Sequence, residues 1–328
     1  MFNINDELKD KISNINNLLE DKYKNILDLD RSKLRSFIED NVGEIKKMEK
    51  LDKDKLMTFH NSGGIVGVDG SNNKVGGAYP HYIEVFQALA KSTHVKDDPL
   101  YKTDIYTPLI PEFDDNPLGN GEMIIEDKKN IKLATLEVEA ALDSIDRFKP
   151  YAIMMDGGLI RYNIYSYDKW LELKTRCEEE GIILFGVIKD IKTSIIGDII
   201  MEKNKDFDKQ IYDREMLFGV LDYGEMIMIQ EYANKKEPQG YASVFLRSSL
   251  QPSVVGMDII DSQRSHLEEM ARLVFTLTPE NSRGVPLWLD IVDKEVKITD
   301  ELIKGLLERY MDRGVYERFF VSERDKRS

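Results

Sequence analysis

The sequence predicts a mixed α/β fold: a sheet flanked by helices, with a helical arm before it and further helices after it. Two observations predict this. Strand-type and helix-type stretches alternate beyond residue 60 in the order hairpin, helix, strand, helix, strand. The runs from Tyr151 to Met155 and from Ile182 to Ile188 are apolar throughout, as strands covered on both faces are. Right-handed crossovers through the intervening helices then make these later strands parallel neighbours.

Taken in order, residues 4–60 read as a helical arm. Ile12, Ile15, Leu18 and Leu19 recur at helical spacing, followed by Ile26, Leu29, Leu34 and Phe37, and Asp30 or Ser32 suits the cap of a second helix. So charged an arm is ordinarily a solvated packing or dimerisation element. Near His60 the pattern changes. An apolar strand from Ile65 to Val68, a turn rich in Gly and Asn, and a strand from Tyr82 to Leu89 predict a β-hairpin. Asp97 to Leu118 reads as an edge strand plus loop, and residues 130–148 as the clearest amphipathic helix in the chain. A helix from Tyr167 to Glu180 separates the two buried strands. Beyond them lie a second hairpin (Glu225 to Glu231, Tyr241 to Arg247) and helices over Gln263 to Leu273 and Asp300 to Asp312. Pro286 suits a helix start and Asp300 an N-cap. These readings divide the chain into an arm over 1–60, a core over 61–312 and a charged tail over 313–328.

Composition narrows the function. The chain has 328 residues, 41% of them hydrophobic and 32% charged, ordinary for a globular protein with a large core. Its single cysteine, Cys177, forms no internal disulfide and leaves no cysteine-based zinc site. The polar N-terminus lacks the apolar core of a signal peptide, and no run is long enough to span a membrane, so a soluble, cytoplasmic protein is expected. The net charge of −14 means that any contact with nucleic acid is local, made by a few Lys and Arg around an acidic site.

Two carboxylates stand out. Asp69 ends an apolar strand and is followed by Gly70 and Ser71, and Asp156 ends another and is followed by Gly157 and Gly158. Asp-Gly is a common turn dipeptide. Two of them on neighbouring strands, however, place two carboxylates at the rim of one sheet, where sites form. On the helix between them, Glu137 has Leu133, Ala134, Ala140 and Ala141 at helical spacing, so it faces the sheet, whereas Glu139 points elsewhere. A buried carboxylate needs a partner, and either a metal ion or a Lys or Arg would serve. Lys189 ends the strand before Asp190, placed to contact a phosphate or to neutralise the cluster. Asp290 and Asp293 share a side if their segment is helical. Other chemistries are absent: the four histidines show no metal-ligand spacing, and there is no phosphate-binding Walker loop, dinucleotide fingerprint or serine elbow.

The order Val68-Asp69-Gly70-Ser71, a helix carrying Leu136-Glu137, then Met155-Asp156-Gly157-Gly158-Leu159-Ile160 resembles the NurA nuclease family. Gly186-Val187-Ile188-Lys189 and the stretch from Arg283-Gly284-Val285-Pro286 to Ile298 look like further blocks of it. The similarity runs from about Ile65 to Ile298. Three positions depart from the family pattern: Val285 stands where tyrosine is common, Asp293 where histidine is, and Gly158 where serine is. An aspartate for a histidine suits hard ions such as Mg²⁺ or Mn²⁺. The missing tyrosine removes a group that could orient the phosphate or the attacking water.

The resemblance implies an RNase H-like fold and a two-metal site for Mn²⁺ or Mg²⁺. Asp69 would bridge the ions, Asp156 and Glu137 would each bind one, Asp293 would be the late fourth ligand, and Lys189 would steady the phosphate. It further implies a DNA nuclease, a single-strand endonuclease and 5′ to 3′ exonuclease. Such an enzyme works as a homodimer with a HerA-type hexameric ATPase in end resection or antiviral defence. Two rivals remain on sequence grounds: a catalytically silent scaffold subunit of such a motor complex, and an RNase H-like nuclease of the PIWI type.

Overall fold

The computed structural model describes residues 5–27, 30–95, 98–110, 122–203 and 210–321. Among these, nine strands form one sheet: β1 (Gly43–Lys47), β2 (Ile65–Gly76), β3 (Tyr82–Ser92), β4 (Leu100–Tyr106), β5 (Ala152–Asp156), β6 (Ile183–Ile188), β7 (Glu225–Ile229), β8 (Tyr241–Leu246) and β9 (Val255–Ile260). Their spatial order is β1-β7-β8-β9-β6-β5-β2-β3-β4. The hairpin β2–β3 extends antiparallel into β4, and β5 and β6 run parallel to β2, as the sequence predicts. The second hairpin also forms, as β7 and β8.

The helices are α1 (Asp6–Leu27), α2 (Arg31–Asn41), α3 (Lys53–Asn61), α4 (Glu122–Phe148), α5 (Ile160–Tyr165), α6 (Tyr167–Glu180), α7 (Ile195–Lys203), α8 (Asp213–Met216), α9 (Leu267–Leu277), α10 (Leu287–Val296), α11 (Asp300–Tyr310) and α12 (Arg313–Phe319). No helix among the described residues is long and apolar enough to cross a membrane.

Side-chain alternation along the central strands sorts the core onto two faces. Ile65, Met154 and Phe185 point to one side with Phe59 of α3, Met270 and Val274 of α9 and Leu289 of α10. Val68, Ile153, Met155 and Leu184 point to the other, under α4 and α6. Both faces are covered, which is why these strands read as unbroken apolar runs. In α4, Ala134, Val138, Ala141 and Ile145 repeat at helical spacing and are fully buried against the sheet. The small residues among them let the helix lie close to β2, and Glu137 lies on the same stripe.

The structure corrects the sequence reading in several places. The arm is not wholly helical: Gly43–Lys47 pairs antiparallel with β7 as an edge strand. β9 was not foreseen, because a glycine and an aspartate interrupt its apolar run. The helix expected over Gln263 to Leu273 is a 3-10 segment, Asp261–His266, leading into α9. Thr299, not Asp300, caps α11, its hydroxyl accepting from Leu302 N–H, whereas Asp300 accepts from the Asn73 amide at 2.7 Å. Asp30 does cap α2. The tail begins with a helix, α12, and residues 322–328 lie outside those described.

Candidate active site

β2, β5 and β6 lie side by side with Val68 opposite Met155 and Asp156 opposite Val187. The Gly- and Asn-rich stretch expected as a turn instead continues β2 to Gly76, so Asp69 lies inside that strand, just past its parallel pairing with β5, where it meets Asp156 and Lys189 at the ends of β5 and β6. Gly157 turns the chain sharply here at φ 120°, a conformation open to glycine, and its N–H donates to the Val187 carbonyl at 2.8 Å. Asp293 approaches from α10, which is held over β2 by Val292 and Val296 packed on Leu89, and by the Trp288 indole N–H donating to the Lys91 carbonyl at 3.1 Å.

Carboxylate oxygens of Asp69, Asp156 and Asp293 lie within 4.8 Å of one another. Asp69 is 8% exposed and Asp293 52%, so the cluster runs from a buried wall to an open mouth. The Lys189 ammonium sits among them, hydrogen-bonded to Asp156 and 3.8 Å from Asp293. The Asp69 carboxylate accepts from the Gly70 N–H at 2.7 Å. Burial first, then the charges of Asp156 and Glu137, push its pKa up to about 9. Three converging carboxylates, with an ammonium lodged between them, form the donor set that a hard divalent cation takes.

Glu137, 1% exposed, is adjacent but distinct from this group. Its Oε2 accepts from the Arg161 guanidinium and from the Tyr162 hydroxyl, the latter at 2.7 Å. Its Oε1 faces β2 so closely that a Cβ at Gly70 would come within 2.5 Å of it. Burial raises the Glu137 pKa, against the opposing pull of Arg161. Of the two partners left open by the sequence, the one seen here is an arginine. Arg161 and Tyr162 were not singled out, although they stand five and six residues after Asp156, at the start of the helix that the turn at Gly157 launches. Asp290 lies outside the three-carboxylate group and pairs with Arg283 at 2.7 Å. Val285 is buried in the core beside Leu289, with no hydroxyl to offer the site.

With this geometry in place, comparison with known proteins decides the family. A model of the NurA domain matches residues 63–298. The chain belongs to the NurA family. Its sheet is mixed and flanked by helices, the fold class that the sequence predicts. No curated protein matches the chain significantly in sequence. Among solved structures it is similar to endonuclease V of Bacillus subtilis, at 13% identity and a TM-score of 0.40, covering 81% of this chain and 88% of that one. The catalytic domain of human endonuclease V is similar at 12% identity and a TM-score of 0.38, covering 84% and 96%. Aquifex aeolicus Argonaute is similar at 11% identity and a TM-score of 0.29, covering 66% of this chain and 24% of that one. Likenesses this distant bear on neither the site nor the activity. For this NurA chain, the carboxylate cluster and family membership carry the functional reading.

Proposed function

We propose that the chain is a divalent-metal-dependent DNA nuclease, cutting single strands internally and from the 5′ end. On this reading it acts as a homodimer with a HerA-type hexameric ATPase in end resection or antiviral defence. The observation that carries the nuclease reading is the convergence of Asp69, Asp156 and Asp293 around Lys189 at the rim of the sheet, in a chain of this family.

Asp69, Asp156 and Asp293 would hold Mn²⁺ or Mg²⁺, with Glu137 joining through the oxygen that faces Gly70. A bound ion of this kind supplies a more acidic water and offsets charge on the leaving oxygen. The remaining work falls to the protein. The paired strands β2 and β5 fix Asp69 and Asp156 relative to one another. Arg161 and Tyr162 hold Glu137 against rotation. Lys189, once a cation takes over its place beside Asp156, is free to hold a phosphate oxygen at the cut. The exposed side of Asp293 leaves the mouth open to a strand.

The test is cleavage of end-labelled single-stranded DNA with Mn²⁺, with Mg²⁺ and with EDTA, beside Asp69→Ala and Asp156→Ala. Metal-dependent cutting that falls about 1000-fold in either variant is expected, since the ligands account for several kcal/mol of barrier. A second reading, a silent scaffold subunit, is favoured by the buried Val285 in place of a tyrosine. Failure to cut alone and with a HerA-type ATPase, in any metal, would establish the scaffold and end the nuclease reading.

A further inference from the structure

A cavity of about 550 Å³ opens from Asp69 and Asp156 and runs under β8 and β9, within the size range of small-ligand sites. Its walls are largely apolar, with Ile188, Ile191 and Phe245 lining it beside the glycines 157, 158 and 256. At its floor is a polar group that the carboxylate cluster does not use. Asp258, 1% exposed, accepts from the Lys236 ammonium at 2.7 Å on each oxygen and from the Ser243 hydroxyl at 2.8 Å. At its rim Lys192 is exposed and pairs with no carboxylate among the described residues.

The distribution of charge in this cavity selects a ligand. A buried ion pair costs desolvation and is seldom kept for stability alone. Here it leaves a floor that is polar yet neutral, which suits an uncharged ring with polar edges and not a phosphate. An ammonium has three donors, so Lys236 keeps one to offer after bonding Asp258. The apolar walls suit the faces of such a ring. The unpaired Lys192 at the rim, by contrast, suits an anion. Gly158 keeps the floor open: a Cβ there would lie 3.3 Å from Asp258 Oδ2 and 3.4 Å from Ile188.

We infer that this cavity is a nucleotide subsite: it takes the base flanking the phosphate to be cut, edge toward Lys236 and Asp258, with a backbone phosphate on Lys192. The inference rests on the nuclease reading and deepens it, by making the cut depend on a base at one position.

The experiment maps cuts along an end-labelled single strand in Mn²⁺, with one abasic site placed at known positions. The full-length wild type should cut the phosphate on one side of the abasic site about tenfold less than other phosphates, the loss expected from one missing base contact. The neutral pair variant Lys236→Met/Asp258→Asn should cut that phosphate as often as its neighbours. An apolar pair, Lys236→Met/Asp258→Leu, replaces it if the first does not fold, since buried ion pairs tolerate such swaps. Lys192→Ala should slow every cut alike while keeping the abasic dip. A flat pattern in a wild type that cuts everywhere would overturn the subsite and leave the nuclease standing. No cutting at all, with or without a HerA-type ATPase, would overturn both.

Discussion

Asp69 shows how much of a site one residue's surroundings decide. Its carboxyl is buried beside two other acids, so the metal-free chain holds it protonated at neutral pH, with a pKa near 9 instead of 3.8. An acid raised in this way contributes stability below its unfolded pKa and loses it as pH climbs toward the folded value. The metal-free wild type should therefore weaken between about pH 4 and pH 9. Asp69→Asn, which has no proton to lose, should weaken less over this range and be the more stable of the two near pH 8. Excess Mn²⁺ should raise the wild-type melting temperature more than that of the variant, because the amide replaces an anionic ligand with a weaker neutral one. Parallel pH profiles for the two proteins, measured by thermal melts, would contradict this account. Asp156 was legible in sequence because a carboxylate after an apolar run and before glycine suits a strand end, whereas Asp69, read the same way, sits inside β2, which the Gly- and Asn-rich stretch extends to Gly76. Arg161 was not, because which cation meets Glu137 depends on how α5 leaves β5, and no local pattern records that.

Between elements the same division holds. α4 was visible through its repeat of alanines and branched residues, and its apolar stripe explains why Glu137 and not Glu139 meets the sheet. β1 was invisible: GEIKK has one apolar residue and sits among charged helices, so its strand character comes from pairing with β7. A clamp beside that pairing joins α2 to β7. Arg35 donates to both oxygens of Glu225, at 2.6 and 3.0 Å, and to the Val220 carbonyl at 3.1 Å. The Arg35 hydrogen bond in turn holds the Glu225 pKa below its usual 4.5. A lowered acid contributes stability above its unfolded pKa and loses it as pH falls through the folded one, so the clamp should fail only below about pH 4.5. A double-mutant cycle with Arg35→Met and Glu225→Gln should give a coupling of about 1–2 kcal/mol at neutral pH, lost as acid protonates Glu225. A coupling that is absent at pH 7, or unchanged in acid, would show that packing alone holds α2.

For the molecule as a whole, the tension lies between a net charge of −14 and a polyanionic substrate. The sequence resemblance placed the core between Ile65 and Ile298, close to the matched domain at 63–298, but no residue pattern showed where cations would gather. The fold gathers them: Lys189, just after β6, and Lys236, just before β8, come to one cavity, with Lys192 at its rim. At cellular salt the screening length is about 8 Å, so remote acids hardly oppose a strand held by these few lysines. At low salt they do, and the repulsion offsets what counterion release would gain. The expected signature is a weak dependence of single-strand affinity on salt. Each neutralised phosphate contributes a slope of about −0.7, so the two phosphate contacts, at Lys189 and Lys192, give roughly −1.4 in log K against log salt, flattening further below about 50 mM. Fluorescence anisotropy from low to moderate salt, with Ca²⁺ in place of Mn²⁺ so that a cation releases Lys189 from Asp156, measures it. A slope of about −5 or steeper would mean a wider basic track than this cavity provides, and the strand would then have to be held elsewhere on the surface.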